Sequence, residues 1–136
     1  MENLVVDTSI FFSALQSKNA KARAFILSQE EFQLCSPNYL FTEIFKHKGR
    51  LLKKSKLSEE ELLEVLNKLL LNIHFVNEGL ISFSNAMEAF RLCKDIDEND
   101  TAFVALTLEL GARLWTKDEE LKSGLRSKGF DRFFEP

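Results

Sequence analysis

Short apolar runs that alternate with longer helical stretches, with no hairpin signal between any two of them, constrain this chain more than any other feature. Leu4-Val5-Val6, Phe32-Gln33-Leu34-Cys35, His74-Phe75-Val76 and Leu114-Trp115 each read as a short strand, and Phe133-Phe134 as a last edge strand. Leu4-Val5-Val6 lacks polar alternation, which suits a strand buried on both faces. Helical stretches are expected at residues 10–15 and about 20–28. Ser36-Pro37 reads as a helix start, with Ser as N-cap and Pro at the first helical position, for a helix running to about residue 54. Ser58-Glu59-Glu60-Glu61 is a capping box that opens a helix to about Leu71, and Ser84 is expected to cap a helix through Cys93. After an acidic segment, a helix runs to Leu110 and stops at Gly111, and a short helix follows Asp118. Strands joined through helices run parallel. The expected fold class is therefore α/β, a three-layer α/β/α sandwich with a mostly parallel central sheet of four to five strands. A chain of 136 residues without a linker or repeat is expected to form one domain over residues 1–136.

In such a sheet, right-handed crossovers bring the loops that follow strands to one edge, where ligands bind. Asp7 directly follows the first strand and Asp118 follows the last, so both belong on that edge. Glu43 shares a helix face with Leu40 and His47, at the border of an apolar stripe. Asp97 and Asp100 stand three residues apart before the helix that carries Phe103, Leu106 and Leu110. Each acid alone has a plainer reading as a strand terminator, a helix cap or a partner of the helix dipole. Together at one edge they would crowd like charges. A hard divalent cation resolves that crowding, because Mg²⁺ and Mn²⁺ prefer carboxylate and water oxygens.

A net charge of −3 excludes nucleic-acid binding by bulk electrostatics. Positive charge is local: Lys46, Lys48, Arg50, Lys53, Lys54 and Lys56, with His47, follow Glu43 immediately. They read either as a solvated face at a helix C-terminus or as a rim that tracks phosphates beside the acidic site. Cys35 and Cys93 match no zinc or redox spacing and read as reduced, buried thiols. No apolar run approaches the ~18 residues that span a bilayer, so no membrane association is expected and a cytoplasmic location is.

Four motifs in order carry a resemblance over nearly the whole chain. They are Val6-Asp7-Thr8-Ser9, Glu43 in its helix, the run Asp97-Glu98-Asn99-Asp100-Thr101-Ala102-Phe103-Val104-Ala105-Leu106, and Leu114-Trp115-Thr116-Lys117-Asp118. In these the sequence resembles the PIN-domain family of metal-dependent nucleases. The resemblance implies a Mg²⁺- or Mn²⁺-dependent endoribonuclease whose metal ligands and activating carboxylates are Asp7, Glu43, Asp100 and Asp118. Asp97 matches a frequent additional acid, and Thr116 a hydroxyl residue near the last Asp. Ser9 stands where many members carry Asn and retains a hydroxyl able to hold the carboxylate. The implied partners are single-stranded or structured RNA, a small antitoxin protein of a toxin–antitoxin pair, and a second copy of the chain. Two other readings compete. One is a PIN scaffold that binds with little catalysis. The other is a phospho-acceptor receiver domain, which lacks here the paired acids after the first strand and the central Asp it needs.

Overall fold

The computed structural model describes residues 1–16 and 20–136. Strands β1 (Glu2–Val6), β2 (Phe32–Pro37), β3 (His74–Val76) and β4 (Arg113–Trp115) pair in the order β3-β2-β1-β4, all parallel. Between β1 and β2 lie α1 (Thr8–Ala14) and α2 (Lys21–Ser28). Between β2 and β3 lie α3 (Tyr39–Lys46), α4 (Lys48–Lys54) and α5 (Glu59–Leu71). Helices α6 (Phe83–Cys93) and α7 (Thr101–Leu110) connect β3 to β4, and α8 (Glu119–Ser127) follows β4.

The strand order explains where a site must form. From β1 to β2 to β3 the sheet grows in one direction; β4 then returns to the other side of β1. Right-handed crossovers consequently put the early helices on one face and α6 and α7 on the other. The packing agrees: α1 meets α2 and α3, α2 meets α5, and α6 lies against α7. The reversal falls between β1 and β4, whose carboxyl ends carry Asp7 and Asp118. Leu4, Val5 and Val6 are fully buried at the centre, and the Asp7 N–H extends the ladder by donating to the Trp115 carbonyl (3.3 Å). That bond pins the two strand ends together.

Ser36 and Pro37 do not start a helix; they end β2. The buried Ser36 hydroxyl donates to the Val6 carbonyl (3.0 Å), tying β2 to β1 instead of capping. Helix α3 begins at Tyr39, and the Asn38 side chain does not cap it. Its first N–H groups are met from far along the chain: the Glu78 carboxylate accepts from Asn38 N–H (3.0 Å) and Tyr39 N–H (2.9 Å). The single helix expected up to residue 54 is broken at His47, which leaves helical geometry (φ −108°, ψ 13°) between α3 and α4. The cap of α6 is Ser82, not Ser84: Glu109 of α7 accepts from Ser82 N–H and the Asn85 amide, fixing the helix start two residues earlier. Local reading succeeds where the cap is local. The Ser58–Glu61 capping box opens α5, and Gly111 closes α7 in the left-handed region (φ 58°). Phe133 forms a single parallel bridge to Leu114 rather than a full strand, and Phe134 completes an aromatic cluster with Phe25, Phe32 and Trp115.

Candidate metal centre

Each acid arrives by a different element. Asp7 leaves β1 in extended conformation and its Oδ1 caps α1, accepting from Ile10 N–H (3.2 Å). Asp118 does the same for α8, its Oδ1 accepting from Leu121 N–H (3.0 Å). Asp97 opens a turn of 3-10 helix (Glu98–Asp100) by accepting from Asn99 N–H (3.0 Å). The plain capping readings are thus true of Asp97 and Asp118, Asp7 caps a helix as well as ending its strand, and each commits one oxygen.

Asp100 departs from that pattern. It occupies the N-cap position of α7, the helix buried against β1 and β2, yet its side chain caps nothing. Its Oδ2 is buried and has no hydrogen-bond partner. Burial pushes its carboxyl up to about 8, reinforced by the charges of Asp7, Asp97, Asp118 and Glu43 in that order. Those four charges reach Asp100 because the fold has gathered all five acids at one sheet edge. Asp7, only 3% exposed, is raised to about 6, first by burial and last by Asp118, against hydrogen bonds from Ser9, Thr116 and Ile10. Glu43, 7% exposed on α3, lies 3.4 Å from His47 Nε2.

A relay of hydroxyls orders the β1–β4 side. Ser9 Oγ donates to Asp7 Oδ1 (2.6 Å), so its lone proton is committed. The Thr116 hydroxyl lies 3.3 Å from Ser9 Oγ and also acts on the Asp7 carboxyl, which it holds down. Thr116 Oγ1 accepts from Asp118 N–H (3.1 Å) and Ser9 Oγ accepts from Lys117 N–H (2.9 Å). The relay links Asp7 to the backbone of Asp118, and both Ser9 and Ile10 act on the same Asp7 oxygen.

Among the described residues, no three His, Cys, Asp or Glu side chains converge tightly enough to enclose an ion unaided. Mg²⁺ does not require that, because it keeps several waters and is held by one or two carboxylates. The donor set is all oxygen, which suits a hard cation better than zinc. Asp100 Oδ2, buried without a hydrogen-bond partner, is the atom that such a cation would satisfy. The residues fit a hydrated divalent ion.

The basic side chains Lys46, Lys48, Arg50, Lys53, Lys54 and Lys56 are exposed on the segment from the end of α3 through α4 into the loop that follows it. None is in an ion pair among the described residues. Two neighbours of the acids carry no local signal that singles them out. Tyr39, at the start of α3, donates its hydroxyl to Asn99 Oδ1 (2.9 Å), and Glu43, Asp97 and Asp100 hold its own ionisation up after burial does so first.

A parallel sheet whose switch point is crowded with carboxylates defines a class of α/β proteins with an acidic edge. The sequence profile described as PIN domain matches residues 5–134, and the chain belongs to the PIN domain family, whose members are in general nucleases. The fold is similar to the crystal structure of PAE2754 from Pyrobaculum aerophilum, with a TM-score of 0.61 over 94% of this chain and 86% of that one. At 15% identity that likeness concerns the fold alone. No match was found among curated protein sequences. No helix among the described residues is long and apolar enough to cross a membrane.

Proposed function

We propose that this PIN domain is a metal-dependent phosphodiesterase, an endoribonuclease that works with Mg²⁺ or Mn²⁺ on single-stranded or structured RNA. The observation that carries the reading is the partnerless Asp100 oxygen among four further acids. In this reading Asp7, Asp100 and Asp118 hold the ion, Asp97 adds a carboxylate, and Glu43 completes the shell or orients the attacking water. A bound divalent cation supplies Lewis acidity, which lowers the pKa of water and offsets charge on the leaving oxygen. The chain's own contribution is orientation. Ser9 and Ile10 fix Asp7 through its Oδ1, and Thr116 holds the same carboxyl in its ionised form. Calorimetric titration of Mn²⁺ tests the site: Asp7→Asn and Asp100→Asn are each expected to weaken binding strongly. Unchanged affinity in both variants would end the metal reading.

RNA is held, on this proposal, by the basic segment at residues 46–56. Changing Lys53, Lys54 and Lys56 together to Gln is expected to weaken RNA binding and to flatten its salt dependence by up to about one unit of slope per lost phosphate contact. The melting temperature should hardly move, since exposed charges contribute little to stability. Affinity and slope that both stay put make this face merely solvated.

A toxin–antitoxin role rests on a separate observation. An apolar cavity of about 290 Å³ lies between α3, α4 and α5, with Lys48 at its border. Phe45 and Leu63 beside it are 74% and 55% exposed. An acidic amphipathic helix of a small antitoxin would match both the apolar groove and the unpaired lysines. Sedimentation of wild type and Phe45→Glu separates this occupant from a second copy of the chain. Wild type and variant that sediment alike leave the groove to the antitoxin; a dimer that the substitution splits makes the groove a self-contact.

A further inference from the structure

Beside the acids lies a second cavity, of about 400 Å³, between the start of α3, α6 and the first turns of α7. We infer that it receives one nucleobase of the RNA strand, next to the phosphodiester held at the acids, and that it favours bases bearing an exocyclic amino group over uracil. This rests on the nuclease reading and adds a determinant of sequence preference to it.

The position comes from one short turn. Glu98 and Asn99, which line this cavity, sit between Asp97 and Asp100. A phosphate at the acids therefore leaves its neighbouring base at the cavity mouth. Chemistry decides between base and phosphate. No Lys or Arg lines the cavity, and two carboxylates, Glu78 and Glu98, do. A second phosphate would be repelled, so the part of the strand that suits this cavity is the uncharged, flat one. Its floor is small and apolar, with Ala86 on α6 and Ala102 and Ala105 on α7. Such a floor leaves room for a ring to lie in van der Waals contact.

The wall is aromatic and held in place. The Tyr39 ring meets Phe103 edge-on at 6.3 Å, its backbone N–H is bound by Glu78, and its hydroxyl is bound by Asn99. Stacking on aromatic side chains is the usual way that unpaired bases are held. The hydrogen bond also fixes polarity at the rim. With Asn99 Oδ1 taken by Tyr39, the Asn99 amide offers its N–H₂ donors, while the Glu98 carboxylate offers acceptors only. Adenine, cytosine and guanine each present an amino group to a carboxylate and an acceptor to an amide. Uracil presents one N–H flanked by two carbonyl oxygens, which a carboxylate repels.

Uncharged nucleosides test the cavity without involving the metal centre. Isotope-labelled protein titrated with adenosine, cytidine and uridine is expected to show amide shifts at Ala86, Ala102 and Ala105 for the first two, with uridine weaker by roughly tenfold, the worth of one hydrogen bond. Ala86→Leu, which fills the floor from α6, should abolish these shifts. Tyr39→Phe keeps the ring but frees Asn99, and should retain adenosine binding while reducing the difference from uridine. Should Ala86→Leu misfold, Tyr39→Phe still decides the matter by its preference alone. Cleavage of RNA with Mn²⁺ is measured in parallel. Cleavage without nucleoside shifts, or with shifts indifferent to base and to both substitutions, overturns the base site and leaves the nuclease standing. Nucleoside binding without cleavage overturns the nuclease instead.

Discussion

Asp100→Asn and Asp118→Asn are expected to slow RNA cleavage by about a hundredfold or more, and in chelator to melt no lower than wild type. The two effects have opposite signs because the acids serve binding at the expense of folding. Without an ion, the ionised acids repel one another, and burial holds Asp100 and Asp7 protonated beyond their ordinary range at a cost to folding. Neutralising one removes repulsion and opens no cavity, since Asn is nearly isosteric with Asp. Capping does not confound the comparison. Asn is as good an N-cap as Asp, so Asp118→Asn keeps the bond to Leu121 N–H. Asp118→Ala supplies the contrast, since it also loses the cap and should fall below Asp118→Asn by about 1 kcal/mol in chelator and in Mg²⁺ alike. In added Mg²⁺ the order should reverse: wild type gains linkage stabilisation that the Asn variants lack. Melting curves in chelator and in Mg²⁺ check this for each protein. Parallel shifts in both conditions would mean that the acids are only caps and strand ends.

How much of this was legible beforehand depended on whether the partners of a residue were near it in sequence. Leu4-Val5-Val6 could be read as a central strand because both its faces had to be apolar. The Ser58–Glu61 box and Gly111 could be read because a cap lies within one turn of what it caps. Ser36-Pro37 had the same local chemistry and was misleading, since the competing partner, the Val6 carbonyl, lies 30 residues away. The start of α3 is satisfied from Glu78, and that of α6 from Glu109, neither of which a local pattern can reveal. Asp7 and Asp118 could be placed on one edge for a topological reason: positions after parallel strands share it whatever the details of packing. Their orientation was not legible. That Asp7 and Asp118 spend an oxygen on capping while Asp100 spends none depends on side-chain geometry, as does the Tyr39–Asn99 contact.

The metal-free protein is expected to lose stability as pH rises, the reverse of the usual behaviour of paired carboxylates. The unfolded chain ionises Asp7 and Asp100 near their ordinary value of 3.8, whereas the folded chain ionises them at about 6 and about 8. Between those values the native state binds more protons than the unfolded state, so the stability of folding falls with pH. For Asp7 that loss is spread between about 4 and 6, and for Asp100 it continues to about 8. A cation at this site competes with the same protons. Its affinity should therefore climb with pH, by up to about tenfold per unit for each proton displaced. The climb should level off once Asp100 is ionised, above about 8. Urea midpoints in chelator and Mn²⁺ titrations, both taken from about pH 5 to about pH 9, measure the two trends. Asp100→Asn removes the upper titration, so in that variant the metal-free stability should stop falling above about pH 6, where only Asp7 remained to ionise. Metal-free stability that rises or stays level over this range would mean that Asp7 and Asp100 ionise in the folded chain as ordinary surface carboxylates do. Five crowded acids would then need no cation to hold them together.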